Sequence, residues 1–201
     1  GDVIPITIIF SEAVNVVTTG GTPTLTLETG TNDAVVNYSS GTGTNTLTFN
    51  YTVVEGHINS DLSYTSTSAL ALNSGTIKDL ALNDAILTLP AENSSNSLAD
   101  NRNLNVDGVI PTITSVSSDV SDGTYRLGQT IPIKITFSEA VVVTGTPQLT
   151  LETGTSDAVV DYSGSGSGSN ALTFNYTVAA GHSVSDLDYV STSALALNGG
   201  T

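Results

Sequence analysis

Carboxylates are the side chains of this sequence with the clearest capacity for chemistry. There are 19 Asp and Glu against four Lys and Arg, and Cys is absent, so thiolate chemistry is excluded. Ca²⁺ takes roughly six to eight oxygen ligands, with carboxylates supplying the charge. The sequence therefore predicts Ca²⁺ as the one cofactor, with five candidate ligands: Asp107, Asp122, Glu139, Asp79 and Asp84.

The positions of these acids suggest two groups. Asp79 and Asp84 share a loop with Asn83. Asp107, followed by Asp122, precedes the predicted strand 131–137, and Glu139 stands at the end of that strand. In an antiparallel meander the first strand after Asp107 runs away from it and the next strand returns, so we expect Glu139 to lie near Asp107. No D-x-D-x-D-G loop is present. The alternative is that these acids are solvated turn residues that only provide solubility.

The two histidines, His57 and His182, each follow a glycine at matching places in the chain. A Ser and an Asp stand nearby, but no G-x-S-x-G nucleophile motif accompanies them. Paired-His zinc spacing, a P-loop and a dinucleotide fingerprint are also missing. We therefore expect solvated turn histidines, no catalytic residue and no enzymatic activity.

Net charge limits the partners that the chain can have. The formal charge is −15 at pH 7. A surface of one negative sign repels phosphate backbones and anionic lipids, so nucleic acid and membrane surfaces are excluded as partners. No apolar run approaches the 18 or so residues needed to enter a membrane as a helix, so no membrane insertion is expected.

An internal repeat organises the sequence. The stretch Ile4–Val14 returns as Ile131–Val141, Pro23–Gly30 returns as Pro147–Gly154, and Asn45–Thr76 returns as Asn170–Thr201. The period is about 125 residues, and about three quarters of the aligned positions are identical. Length differences fall in stretches rich in Gly, Ser and Thr, which are typical of loops.

The repeat predicts two domains, residues 1–108 and residues 109–201. If the copies join within Val106–Pro111, the first copy lacks its N-terminal strand and the second lacks its C-terminal strands. Both repeats are then incomplete, as in a window cut from a longer array. An arbitrary cut and a design in which a neighbouring chain supplies the missing strand are both open.

Period-two alternation predicts strands throughout. Ile131, Ile133 and Ile135 alternate with polar residues, and the stretches 148–151, 159–160, 172–178 and 195–197 behave similarly. Turn clusters recur every 8–12 residues or so, and no helical apolar stripe is present. The expected fold is all-β, a sandwich with roughly seven to nine short strands per repeat.

A tyrosine precedes the late Ala-Leu-Ala-Leu strand in both copies, Tyr64 in the first and Tyr189 in the second. This placement is similar to the tyrosine corner of immunoglobulin-like sandwiches, in which the hydroxyl ties down a loop. We expect the same structural role here, with ligand contact as the alternative.

Many short blocks in order carry a family resemblance. They are Asp122–Ile131, Ile135–Val141, Thr146–Leu151, Leu172–Val178, Asp186–Tyr189, Ser193–Leu197, Gly75–Asp79 and Leu87–Pro90. Together they resemble the SWM-type repeat, named for a cyanobacterial swimming-motility surface protein and found in tandem in very large bacterial secreted and cell-surface proteins. The resemblance implies tandem immunoglobulin-like repeats in an extracellular surface, adhesive or filament-forming protein, and it transfers no catalytic residue.

Two functions follow as expectations. The first is a structural repeat of an extracellular bacterial surface protein or filament, acting as a stalk, sheath or fibre segment. Its partners would be neighbouring repeats of the same protein, with a homopolymer built by β-strand complementation. The second is an adhesin binding module for glycan, protein or another surface.

Overall fold

β-Branched and aromatic residues at alternating positions give this chain an almost entirely β structure, with 45% strand and 2% helix. The structure is a computed structural model that describes all residues from Gly1 to Thr201. The chain divides into two units, unit 1 (Gly1–Ile110) and unit 2 (Pro111–Thr201). The sheets are antiparallel and curled, consistent with a β-sandwich.

Unit 1 contains nine strands and a single short helix. The strands are β1 (Val3–Val17), β2 (Thr24–Glu28), β3 (Ala34–Ser40), β4 (Thr44–Thr52), β5 (Ile58–Asn59), β6 (Ser63–Tyr64), β7 (Leu70–Ala71), β8 (Thr76–Asp79) and β9 (Val106–Asp107). The helix α1 (Leu98–Asn101) precedes β9, and its four residues are far fewer than the 20 or so that cross a bilayer.

Most of these strands form one sheet in the order β6-β2-β3-β4-β1-β8, with β7 also paired to β2. The strands β5 and β9 make a separate pair. Large side chains from the alternating positions of β2 and β4 form the core, and Leu25, Leu27, Phe49 and Tyr51 are essentially inaccessible to solvent. This burial is the reason that the period-two pattern is so regular there.

Unit 2 contains seven strands. They are β10 (Ile113–Ser118), β11 (Thr130–Val141), β12 (Gln148–Glu152), β13 (Ala158–Asp161), β14 (Ser169–Thr177), β15 (Asp188–Tyr189) and β16 (Leu195–Ala196). One sheet has the order β10-β11-β14, and a second has β13-β12-β15 with β16 also on β12. The strands predicted at 131–137, 148–151, 159–160, 172–178 and 195–197 are thus present.

The two units repeat the same pairing. β1 pairs with β4 from Val3 to Ile9, and β11 pairs with β14 from Thr130 to Thr136 in the same register. Both pairs are then interrupted by an irregularity in the Phe-Ser-Glu-Ala sequence before pairing resumes at Val14 and Val141. The interruption places Glu139 outside the regular ladder.

Candidate functional site

The acids of the first predicted calcium group are occupied by neighbouring groups of the chain. Both carboxylate oxygens of Asp79 accept hydrogen bonds from Asn83, one from its backbone N–H at 2.8 Å and one from its side-chain amide at 2.7 Å. The Asn83 side-chain and backbone donors hold the pKa of Asp79 below its ordinary value. Asp84, from the same loop, forms an exposed ion pair with Lys78.

The other three candidates are distributed between the units. Asp107 belongs to β9 of unit 1 and accepts a hydrogen bond from the backbone N–H of Val109. Asp122 lies in an exposed turn of unit 2. Glu139 also lies in unit 2, and one of its carboxylate oxygens, Oε1, is buried without a hydrogen-bond partner.

The end of β11 lies beside the start of unit 2. Ser138, next to Glu139, donates its backbone N–H to the carbonyl of Thr112 at 2.8 Å and accepts from the Thr112 N–H through Oγ. These two bonds join the residue before Glu139 to the residue before β10, and the expected proximity of Glu139 to Asp107 stays a prediction.

Within either unit, no three His, Asp or Glu side chains lie together in a group that could hold a metal ion. A calcium site on these residues would have to draw its remaining oxygens from backbone carbonyls or water. Calcium binding stays a prediction. A Ca²⁺ ion that binds the native state raises the unfolding temperature as its concentration increases, and a chelator reverses that rise.

Each histidine makes a tyrosine contact that sequence reasoning missed. The Tyr51 hydroxyl lies 2.8 Å from Nδ1 of His57, and the Tyr176 hydroxyl lies 2.9 Å from Nδ1 of His182. The rings of each pair are stacked, with centroids 5.7 and 5.8 Å apart. Burial raises the pKa of both tyrosines. The sequence signal for this contact was the spacing of six residues between the tyrosine and the histidine, which is the same in both copies. Strand periodicity does not use it, because it does not relate a strand residue to a turn six positions later.

These pairs serve to fix a turn against a strand. The turn histidine follows a glycine in the left-handed region, Gly56 with φ 83° and Gly181 with φ 88°. The hydrogen-bond partners of the imidazoles are the Tyr51 hydroxyl for His57, and the Tyr176 hydroxyl and the Ala179 N–H for His182.

Unit 1 has an open sheet edge that unit 2 lacks. In unit 2, β11 is paired on one side with β14 and on the other with β10, from Ile133 to Phe137. In unit 1, β1 is paired with β4 on one side, but the matching stretch Ile6–Phe10 has no strand on the other. The backbone groups that alternate residues of Ile6–Phe10 direct away from β4 therefore have no strand partner.

The orientation of that edge follows from unit 2. The carbonyls of Pro132 and Thr136 accept hydrogen bonds from Ser118 and Thr114 of β10, so alternate residues of β11 direct their backbone groups toward β10. The matching residues of β1 are Pro5, Thr7 and Ile9, placed by the alignment of Ile4–Val14 with Ile131–Val141.

Side-chain burial reflects the same difference. Ile135 in β11 is only 1% exposed, whereas its counterpart Ile8 is half-buried. Ile9 is 72% exposed. An apolar strand edge with free backbone groups is a template for an additional strand.

Comparison of the chain with family models, with curated proteins and with solved structures finds no match. The functional interpretation therefore depends on the sequence and the geometry of the two units.

Proposed function

We propose that this chain is a structural module of an extracellular bacterial surface protein or filament, built from tandem immunoglobulin-like repeats of the SWM type and joined to neighbouring copies by strand addition. The observation that carries the proposal is the unpaired stretch Ile6–Phe10 of β1, at the position where unit 2 holds β10. The occupant of that edge is a segment like β10 from a neighbouring copy.

The chemistry of the chain supports a mechanical role. The two units repeat one pairing scheme, which is typical of proteins in which length comes from repetition. Four Lys and Arg offer few sites to trypsin-like proteases, and the absence of Cys makes the fold independent of redox conditions. Both properties suit a fibre exposed outside the cell.

Self-association measured as a function of concentration tests strand addition. In sedimentation or light-scattering experiments we expect the full chain to form larger species as its concentration rises, because β10 can exchange between copies. An added peptide of residues 112–120 should suppress this association by occupying the β1 edge. A chain that is folded and strictly monomeric at high concentration would contradict strand donation.

A pair of substitutions at one position provides the matched control. Thr7→Pro removes a backbone N–H that faces the open edge, and β1 already contains Pro5 with the same orientation. We expect it to abolish association while the pairing with β4 remains. Thr7→Lys installs the residue found at the matching position of unit 2, Lys134, which pairs with β10. This variant should associate like the parent chain.

An adhesin module is the second candidate, favoured by a groove in unit 2 that contains Tyr125, Tyr189, His182 and Asp186. Aromatic rings beside carboxylates are typical of sugar-binding sites. Retention on a glycan array, or adhesion of cells to the immobilised chain, would favour this function. A chain that retains no glycan and supports no adhesion would favour the structural module.

A further inference from the structure

Unit 2 carries a groove with a volume of about 650 Å³. Its floor is apolar, formed by core strands β11, β12 and β14, and its wall is the stretch from His182 to Tyr189. Ile133, Leu151 and Tyr176 lie at the floor, and His182, Leu187 and Tyr189 lie along the wall.

The matching residues of unit 1 are covered. Leu62, the counterpart of Leu187, is completely buried, whereas Leu187 is partly exposed. Tyr64 is 5% exposed and its counterpart Tyr189 is 38% exposed. Since the surrounding strands are nearly identical in sequence, the difference arises from what lies over them.

The cover in unit 1 is the segment Leu87–Gly108. Its apolar side chains pack against the core of unit 1, and Leu89 and Val106 are buried there. The Leu104 carbonyl accepts the Leu62 N–H at 2.8 Å, and the Pro90 carbonyl accepts the Tyr64 hydroxyl.

The cover also pairs with the turn that holds the first histidine. The β9 strand pairs with β5, and Gly108 exchanges hydrogen bonds with Gly56 and His57. The segment thus pairs with the backbone of the Gly56–Asn59 stretch and with Leu62.

In unit 2 the corresponding wall is unpaired. Residues 182–187 form no strand. His182 and Ser183 keep the bonds to Ala179 and Thr153 that match those of their unit 1 counterparts, but the Gly181 N–H, the His182 carbonyl and the Leu187 N–H lack the bonds that the cover makes in unit 1. The chain leading to this site begins its pairing at the same place in both units. Thr144 and Thr201 exchange two backbone hydrogen bonds, and in unit 1 Val17 and Thr76 are paired where β8 begins.

We infer that the groove of unit 2 binds a segment of the Leu87–Gly108 type, which adds a strand to residues 182–187 and buries its leucines on the core. The inference rests on the proposed structural role, in which segments of this type recur with the repeat. The groove is distinct from the β1 edge, so an experiment can contradict segment binding in the groove without contradicting strand addition at β1, and the reverse.

A segment of this type fits better than a small ligand because one chain shows both forms of the site. The groups that lose their partners in unit 2 are backbone N–H and C=O groups, and in unit 1 the matching groups are satisfied by the backbone of a covering segment. Asp122, Asp186 and Asp188 border the groove, and the segment is itself acidic. Binding driven by apolar burial against this repulsion becomes tighter as ionic strength rises.

A peptide of residues 76–110 added to the full, isotopically labelled chain is the test. We expect saturable one-to-one binding, with NMR shifts at the amides of Gly181, His182 and Leu187, slower hydrogen exchange at Leu187, and tighter binding in higher salt. Shifts confined to unit 1, or no binding at millimolar peptide, would overturn the inference. Displacement of the bound peptide by a glycan would assign the groove to a sugar instead.

Two variants distinguish specific binding of the peptide from nonspecific association. The peptide with Leu104→Asp and Val106→Asp has the same length but must bury charge, so it should bind at least about tenfold more weakly. In the chain, Tyr189→Phe removes only the hydroxyl that would meet the Pro90 carbonyl, and affinity should fall roughly three- to tenfold. Equal binding by all of these would indicate nonspecific association.

If the free peptide aggregates, the same segment can be attached covalently to the chain and its docking in the groove measured there. Residues 77–110 are appended after Thr201, so that they continue from the Thr144–Thr201 pair in the register of β8. We expect protection of the Gly181 and Leu187 amides from hydrogen exchange. An extension that leaves both amides exchanging as in the parent chain would contradict the inference.

Discussion

Tyr64 and Tyr189 occupy the same position in two stretches of nearly identical sequence, but they make different contacts. The Tyr64 hydroxyl donates to the Pro90 carbonyl, whereas no hydrogen bond is made by the Tyr189 hydroxyl. The expected loop-tying role is therefore present in unit 1 and absent from unit 2. Burial, together with the negative charge of Glu92, raises the pKa of Tyr64.

Removal of each hydroxyl should therefore have unequal effects. We expect Tyr64→Phe to lower the free energy of unfolding of unit 1 by about 1 kcal/mol, the usual contribution of one hydrogen bond. Tyr189→Phe should leave the stability of unit 2 unchanged. Chemical denaturation followed by NMR signals of each unit measures both, and equal losses would show that the Pro90 contact contributes nothing.

Asp79 provides a pH-dependent prediction. Its pKa is lowered in the folded state by Asn83, so the folded protein favours the ionised form. The resulting stabilisation is present above the ordinary pKa of an aspartate and is lost as pH falls through the lowered value. Asn83→Ala should raise the pKa of Asp79 toward its ordinary value in a carbon-detected NMR titration.

An asparagine outside this loop serves as the comparison for that titration. Asn105 is exposed, and Asn105→Ala should leave the titration of Asp79 as it is in the parent chain. A parent-like titration in the Asn83 variant would show that Asn83 does not set this pKa.

At the level of elements, the covering segment Leu87–Gly108 should contribute strongly to unit 1. Leu89 is 8% exposed, so Leu89→Ala should lower the free energy of unfolding by about 2–5 kcal/mol. Ile86, three residues earlier, is 84% exposed, and Ile86→Ala should change stability by less than about 0.5 kcal/mol. Similar effects of the two changes in denaturant melts would contradict the assigned cover.

The long strands could be predicted from sequence, but the covering segment could not. β11 and β14 alternate cleanly because one face of each is buried. Leu89, Leu98, Leu104 and Val106 have no regular spacing, since each is buried by a different bend of an irregular chain. Their burial depends on tertiary contacts that periodicity does not encode.

Sequence periodicity also predicted the proposed binding surfaces only in part. Alignment of the two repeats indicated that the first copy lacks its N-terminal strand and the second its C-terminal strands, and the open β1 edge could be predicted from this. It could not show the groove of unit 2, because the two-residue strands β5 and β9 have no strand pattern of their own. The acids singled out as calcium ligands were grouped by position in the chain, and their hydrogen bonds to Asn83 and Val109 depend on loop geometry.

For the molecule as a whole, the two units should differ in local stability. The Leu62 N–H is hydrogen-bonded and buried, whereas the matching N–H of Leu187 has no such partner. Hydrogen exchange at Leu62 should therefore be far slower than at Leu187 in the unmodified chain. Comparable exchange rates at these two amides would show that the wall of unit 2 is as well protected as that of unit 1.

The shared pairing scheme of the two units has a consequence for how the chain reaches its native state. β4 and β14 have nearly the same sequence and accept the same partner in the same register. A newly made chain therefore has two almost equivalent choices for β1 and β11, and the wrong choice traps it in a misassembled form. Synthesis from the N-terminus lessens the risk because β1 meets β4 before β14 exists. Dilution from denaturant removes that order, so refolding in the test tube should be slower and less complete than folding on the ribosome.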